Sequence, residues 1–207
     1  MKQEGGTGAI SIRYQRIQSA PASAYVPVPC GLSVVSRKNH GSNSHYDVDL
    51  PFVGPHGVEC RTGGTTRSHT LIFRFVNALS SVGGASVTSG SGQVSNSGIG
   101  SDPREYVVNL SEVANAQTIT VSLTNVAKAG GPTTTLISSS MDVLLGDTNA
   151  DGAVNSGDSQ QTRNRSGQLT DSSNFRSDVN TDGTINSGDA FIVRTQSGTA
   201  GAAALAR

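Results

Sequence analysis

From Asp147 onward the chain repeats itself. Aligning Asp147 with Asp178, a period of 178 − 147 = 31, pairs Asp147/Asp178, Asn149/Asn180, Asp151/Asp182, Gly152/Gly183, Asn155/Asn186, Ser156/Ser187, Gly157/Gly188, Asp158/Asp189, Arg163/Arg194, Ser166/Ser197 and Gly167/Gly198. Identity at that many fixed offsets means two copies of one small structural unit. Each copy opens with twelve residues of the form D-x-N-x-D-G-x-[VI]-N-x-x-D. A single copy would read as an Asp/Asn/Gly turn, whereas two complete copies constrain both the fold and the chemistry of this region.

The spacing suits a hard cation. Calcium takes about six to eight oxygen ligands, and a twelve-residue loop wraps them around it with side chains at positions 1, 3, 5, 9 and 12 and a carbonyl at position 7. The first ligand set is then Asp147, Asn149, Asp151, the carbonyl of Ala153, Asn155 through a water, and Asp158; the second is Asp178, Asn180, Asp182, the carbonyl of Thr184, Asn186 and Asp189. Two calcium ions per chain follow. Gly152 and Gly183 supply the sharp turn at position 6. Asp158 and Asp189 are shorter than the Glu usual at position 12, so a helix must begin just at the end of each loop, over about 159–165 and 190–194. Val154 and Ile185, at position 8, point away from the metal and are expected to pair the loops through a short β-bridge. Three carboxylates per loop repel one another without the metal, so calcium removal should loosen residues 146–198 selectively and leave the rest of the chain untouched.

The rest of the chain reads as β. Of its 207 residues only 14% are charged and 4% aromatic, and Ser, Thr, Gly, Asn and Val dominate, which favours short strands and turns. In Gln117–Thr124 apolar residues recur at every second position, the mark of a strand with one buried face. The same holds for Tyr46, Val48 and Leu50, for Leu71, Phe73 and Phe75, for Tyr106, Val108 and Leu110, and for Ile137, Met141, Val143 and Leu145; further strands are expected at Leu32–Val35, Val58–Cys60 and Val82–Thr88. Seven or eight short strands predict an immunoglobulin-like β-sandwich over 31–145, with Ile119, Val121, Leu123, Phe73 and Phe75 inside and Ser89–Ser101 a mobile loop. Residues 1–30 show no sustained period and read as loosely ordered; 146–198 form the repeat module and 199–207 a flexible tail.

Charge and composition exclude several classes of function. Residues 1–140 hold ten Lys/Arg against seven Asp/Glu and 141–207 five against eight, so the parts carry +3 and −3 and cancel. Zero net charge gives no electrostatic case for nucleic acid. No run of about 18 apolar residues exists to span a bilayer. Met1-Lys2-Gln3-Glu4-Gly5-Gly6 opens polar with no apolar stretch after it, so either the true start lies elsewhere or export does not use a secretory leader. Cys30 and Cys60 form one disulfide in an oxidising compartment or stay as two thiols, with Cys60 a small buried hydrophobe. No catalytic residue is assigned: Asp47 and Asp49 share a strand, and Glu59, Asp102, Glu105 and Glu112 are scattered rather than paired across a cleft. His40, His45, His56 and His69 lack metal-ligand spacing and read as solvated. With no Trp, sugar binding would fall to polar loops rather than aromatic platforms.

The tandem loops, each followed by a helix but not preceded by one, resemble a type I dockerin over about Leu144–Gly198. That resemblance implies two calcium-binding loop–helix units in pseudo-twofold arrangement, docking onto a cohesin domain of a scaffold in extracellular or cell-surface polysaccharide-degrading systems. It assigns partner contact to loop positions 10 and 11, here Ser156, Gly157, Ser187 and Gly188, and to Arg163, Arg165 and Arg194. Two departures stand out: Gly at position 11 removes a side chain used for recognition, and the polar first helix lacks an apolar stripe. The resulting expectation is mainly β: a sandwich followed by a small α module, in a non-catalytic accessory protein. Two alternatives stay open, a calcium-stapled sandwich without a cohesin partner and a small glycoside hydrolase carrying the module.

Overall fold

The structure, a computed structural model, describes residues 32–42 and 44–201. The expected N-terminal segment 1–30, including Cys30 and hence its pairing with Cys60, lies outside the described residues, as do residues 202–207 of the expected tail.

Among the described residues, ten strands form two sheets. One has the order β2 (Ser44–Asp49), β1 (Ser33–His40), β4 (His69–Arg74), β8 (Glu105–Ser111) and β7 (Gln93–Ile99), antiparallel throughout. The other has β3 (Gly57–Glu59), β10 (Thr133–Val143), β9 (Gln117–Lys128) and β5 (Leu79–Ser81), with β6 (Gly84–Ser89) also on β9. Among the described strands only β3 runs parallel to its neighbour, β10. Alternation along the strands sends Val34, Val48, Leu71, Phe73, Val108 and Leu110 of the first sheet and Ile119, Val121, Leu123, Ile137 and Met141 of the second into one shared core. Ile119, Val121, Leu123 and Phe73 are fully buried and Phe75 nearly so, so the period-2 reading placed the interior correctly.

The structure corrects the reading of Ser89–Ser101. Gln93–Ile99 is β7, an edge strand on β8 with a register shift between Val94 and Asn96. An edge strand pairs through its main chain on one side and needs little apolar surface, so its Gly/Ser-rich sequence hid it. β5 was missed for want of length.

After β10 come α1 (Ser156–Asn164), a 3₁₀ turn (Phe175–Ser177) and α2 (Ser187–Thr195). The helices begin three residues earlier than the sequence suggested, at loop position 10. The two loops do not bridge each other through Val154 and Ile185. Instead each pairs with the segment after the other repeat's helix: Val154 N donates to Thr199 O (2.8 Å) and Gly198 N to Val154 O (2.8 Å), while Ile185 N donates to Gln168 O (3.0 Å) and Gly167 N to Ile185 O (2.8 Å). Each bond has its counterpart 31 residues away, a pseudo-twofold exchange. It also orders Thr199–Gly201, at the head of the expected tail, against the first loop.

The module has no linker. Leu144 N donates to Glu59 O and Gly146 N to Cys60 O, and a second apolar cluster joins Val58 and Leu144 to Val154, Val179 and Val193. Helix α1, although polar in sequence, contributes the completely buried Thr162 at the position that Val193 fills in α2, 31 residues on. The Thr162 hydroxyl has no hydrogen-bond partner among the described residues. An unpaired buried hydroxyl costs about 1–3 kcal/mol. Thr162→Val, which keeps the shape and removes the hydroxyl, is therefore expected to raise stability by about 1 kcal/mol and Tm by a few degrees in thermal unfolding; a lowered Tm would contradict this placement.

Candidate metal centre

Each loop is folded by its own carboxylates. Asp147 accepts from Asp151 N (3.1 Å, Oδ1) and Gly152 N (3.0 Å, Oδ2), Asp151 from Ala153 N (3.0 Å), and Asp158 from Asn149 N (3.1 Å) and Asn155 N (2.9 Å). The second loop repeats the set: Asp182 N (3.1 Å) and Gly183 N (2.9 Å) donate to Asp178, Thr184 N (2.9 Å) to Asp182, and Asn180 N (3.0 Å) and Asn186 N (2.9 Å) to Asp189. Gly152 and Gly183 sit at φ +89° and +95°, the region where glycine carries no steric penalty. Position 4 is left-handed too, with Ala150 at +61° and Thr181 at +62°, a matched strain that nothing in the residue types announced.

Position 9 has a role that sequence reasoning missed. Asn155 and Asn186 are the N-caps of α1 and α2, each accepting from the glycine two residues on (2.6 Å), and Asp158 and Asp189 complete capping boxes at N3. The helix thus starts inside the loop, and this early start brings the short Asp at position 12 inward. Gly at position 11 has a local cause as well. A Cβ on Gly157 would lie 3.0 Å from Asn155 Oδ1, and one on Gly188 3.0 Å from Asn186 Oδ1, so the cap side chain occupies the space.

The electrostatics are unbalanced. Asp147, Asp158, Asp178 and Asp189 are completely buried. Among the described residues, Asp147, Asp151, Asp158, Asp182 and Asp189 have no Lys, Arg or His within ion-pair distance. Burial pushes the Asp147 carboxyl above its ordinary value, and the Asp158 and Asp151 charges push the same way. Burial likewise raises Asp189, helped by Asp178 and Asp182. Oxygens of Asp147, Asp151 and Asp158 lie within 4.8 Å of one another, the one such group of three among the described residues. Asp178 differs: burial works to raise it, but hydrogen bonds from His40, Thr170 and Gly183 bring it below its ordinary value.

The residues assigned to partner contact lie mainly on the surface. Ser156, Gly157, Arg163, Ser187 and Arg194 are exposed and Gly188 is half-buried. Arg194 lies over the Phe191 ring, and Arg165 is half-buried, donating to Ser177 Oγ (3.1 Å). Of the carboxylates weighed for catalysis, Asp47 pairs with Arg37 and Arg74, Glu105 with the same Arg74, Asp102 with Arg104, and Glu59 is buried against Arg61, so each of these four is engaged by an arginine.

The histidines require a correction. His45 and His56 are exposed, but His40 and His69 are buried. Burial, aided by Lys38, lowers His69 to about 3. His40 reaches the second loop, its Nδ1 lying 2.8 Å from Asp178 Oδ2. The signal was there in part. Val34, Ser36 and His40 share one buried face of β1, which the sequence reading had ended at Val35.

The family model of the dockerin type I domain matches residues 145–196. No curated protein and no solved structure matches the chain. The match covers both loops and both helices and stops short of the sandwich; dockerin domains in general bind calcium, and the oxygen-rich loops described above have the donor chemistry for it.

Because Asn155 caps α1 by itself, Asn155→Ala is expected to cost about 1 kcal/mol in chemical denaturation even in metal-free buffer. A cost seen only with calcium would mean that the side chain acts as a ligand and not as a cap.

Proposed function

We propose that residues 146–198 bind two calcium ions and serve as the attachment module of a non-catalytic accessory protein, whose sandwich, residues 31–145, is the cargo. The observation that carries this reading is the burial of Asp147, Asp158 and Asp189 with no cationic partner among the described residues, and of Asp178 with only a histidine beside it. An ionised carboxylate removed from water needs a counter-charge, and backbone N–H donors offset only part of the cost. A divalent cation held by Asp147, Asn149, Asp151, the Ala153 carbonyl and Asp158, and a second held by Asp178, Asn180, Asp182, the Thr184 carbonyl and Asp189, supplies it. Asn155 and Asn186 stand beside each cluster as caps and reach a metal only through water.

The partner proposed is a cohesin-type scaffold protein of an extracellular or cell-surface polysaccharide-degrading assembly. Two observations support it: the family match, and the exposure of Ser156, Gly157, Arg163, Ser187 and Arg194 while the sandwich packs on the module. A second reading, in which the module chiefly staples the sandwich, draws on the apolar cluster shared by Val58, Leu144, Val154, Val179 and Val193.

Calorimetric titration of metal-stripped protein with calcium is expected to give a stoichiometry near two, falling to one in Asp147→Ala; no binding would end the proposal. Calcium-dependent capture of a cohesin domain by the full chain supports attachment, and capture unchanged in a chelator contradicts it.

A pH dependence follows from the raised Asp147 and Asp189. A carboxyl whose folded pKa is raised favours the folded state below its unfolded value, and that contribution is lost as pH rises through the folded value. Metal-free protein therefore bears the full cost of both charges at neutral pH and sheds it on acidification. The gap in Tm between calcium-loaded and metal-free protein is expected to narrow from pH 7 towards about pH 4. A gap that widens would show that these carboxyls are not the ones calcium relieves.

A further inference from the structure

The two loops serve as controls for each other. Their backbone N–H bonds to the aspartate carboxylates match position by position, yet the first aspartates differ. Among the described residues, the Asp147 carboxylate accepts only from the backbone, through Asp151 N and Gly152 N. Asp178 has the same two bonds and in addition accepts on Oδ2 from Thr170 Oγ1 (2.7 Å) and from His40 (2.8 Å). The counterpart of Thr170, 31 residues on, is Gly201, which has no side chain to donate. His40 belongs to the sandwich, 138 positions away in sequence.

The roles in this contact are fixed by the neighbours of His40. Arg61 Nη1 lies 3.1 Å from His40 Nε2. A guanidinium can only donate, so Nε2 accepts and Nδ1 carries the hydrogen that Asp178 receives. Arg61 is held by Glu59 through two bonds of 2.7 Å and donates to Tyr46 O (2.9 Å). Phe175, from the turn before Asp178, lies 5.2 Å over Arg61 and stacks on Tyr46 with centroids 5.4 Å apart. Two main-chain bonds clamp the same contact: Gly41 N donates to Thr181 O (3.0 Å) and Thr62 N to Val179 O (2.8 Å).

We propose that His40 is a positioning residue of the second calcium loop: by donating from Nδ1 to Asp178 it makes the sandwich part of that site, so that calcium at the second loop and the fold of the sandwich end are energetically coupled, while the first loop binds without such help. This rests on the calcium reading above and replaces the sequence-based expectation that the sandwich is indifferent to the metal. Partners that orient a metal ligand typically alter affinity about 10–100-fold, and linkage makes the effect reciprocal.

The test uses the full chain and calcium alone as probe. Asp147→Ala isolates the second site and Asp178→Ala the first. In the Asp147→Ala background His40→Ala is expected to weaken calcium binding about tenfold or more. In the Asp178→Ala background it should change affinity by less than about twofold, which also shows that the variant still folds. His40→Asn, which keeps an N–H donor near the Nδ1 position, should recover most of the loss. Equal weakening at both sites, an unchanged second site, or His40→Asn no better than His40→Ala overturns the proposal. Absence of calcium binding in the two backgrounds before His40 is touched would instead count against the calcium reading itself. In hydrogen exchange, the Gly41 and Thr62 amides should gain protection on adding calcium to the wild type and lose that gain in Asp178→Ala; the same gain in both chains would contradict the coupling.

Discussion

Four aspartate carboxylates with no access to solvent, two in each twelve-residue loop, set the terms for the C-terminal quarter of the structure. Charge that far from water is tolerated only where donors or a counter-ion surround it. The loops answer first with backbone: the glycine at position 6, the left-handed residue at position 4 and the capped start of each helix all turn N–H groups towards carboxylate oxygen. What backbone dipoles leave uncompensated is the net charge, and a hard divalent cation fits that remainder. The aliphatic interior of the module, Val154, Val179 and Val193 with Leu144 and Val58 from the sandwich, is small for about 50 residues. Stability must come from elsewhere; the sandwich is placed to contribute, as a bound cation would be.

The sandwich meets the module with polar groups buried at one end. Along β1 the inward face passes from Val34 to Ser36 and His40, where it joins the Glu59–Arg61 pair. Burial works against the Glu59 charge, but the Arg61 guanidinium outweighs it and holds the carboxyl well below its ordinary range. Such a pair adds little net stability over an apolar substitute, yet losing one member leaves an uncompensated charge. Its value here is orientation, since each Arg61 donor has a defined acceptor and His40 transmits that order to Asp178. Arg176 links the first loop to the sandwich differently, through main-chain oxygens and none of its carboxylates, donating to Val58 O (2.9 Å), Asp147 O (2.9 Å) and Thr148 O (3.0 Å). The module is therefore seated on the sandwich in one register and is not a unit on a tether.

How much of this was legible in the sequence depended on whether the signal was local. The 31-residue period disclosed the loops because ligand spacing lies within twelve consecutive residues, and strict alternation disclosed Ile119, Val121 and Leu123 because their burial follows from one strand's own pattern. The caps at Asn155 and Asn186 were concealed by chemistry, since the same amide suits a water-mediated ligand and a helix N-cap. Thr162 was concealed because the first helix looks polar throughout, and only its repeat partner Val193 marks the position as interior. The seat for the module was the least legible. His40, Arg61, Phe175 and Arg176 come from distant segments, and polar residues on an inward strand face signal exposure until the partner surface is known.

The measurement that bears most directly on the central claim is a crystal structure grown with calcium, with anomalous difference density calculated at both loops. The account predicts two peaks, each about 2.3–2.6 Å from carboxylate oxygens of its loop, Asp147 and Asp158 at one and Asp178 and Asp189 at the other, with His40 still on Asp178. Loops folded as described here but without anomalous density at either position would contradict it.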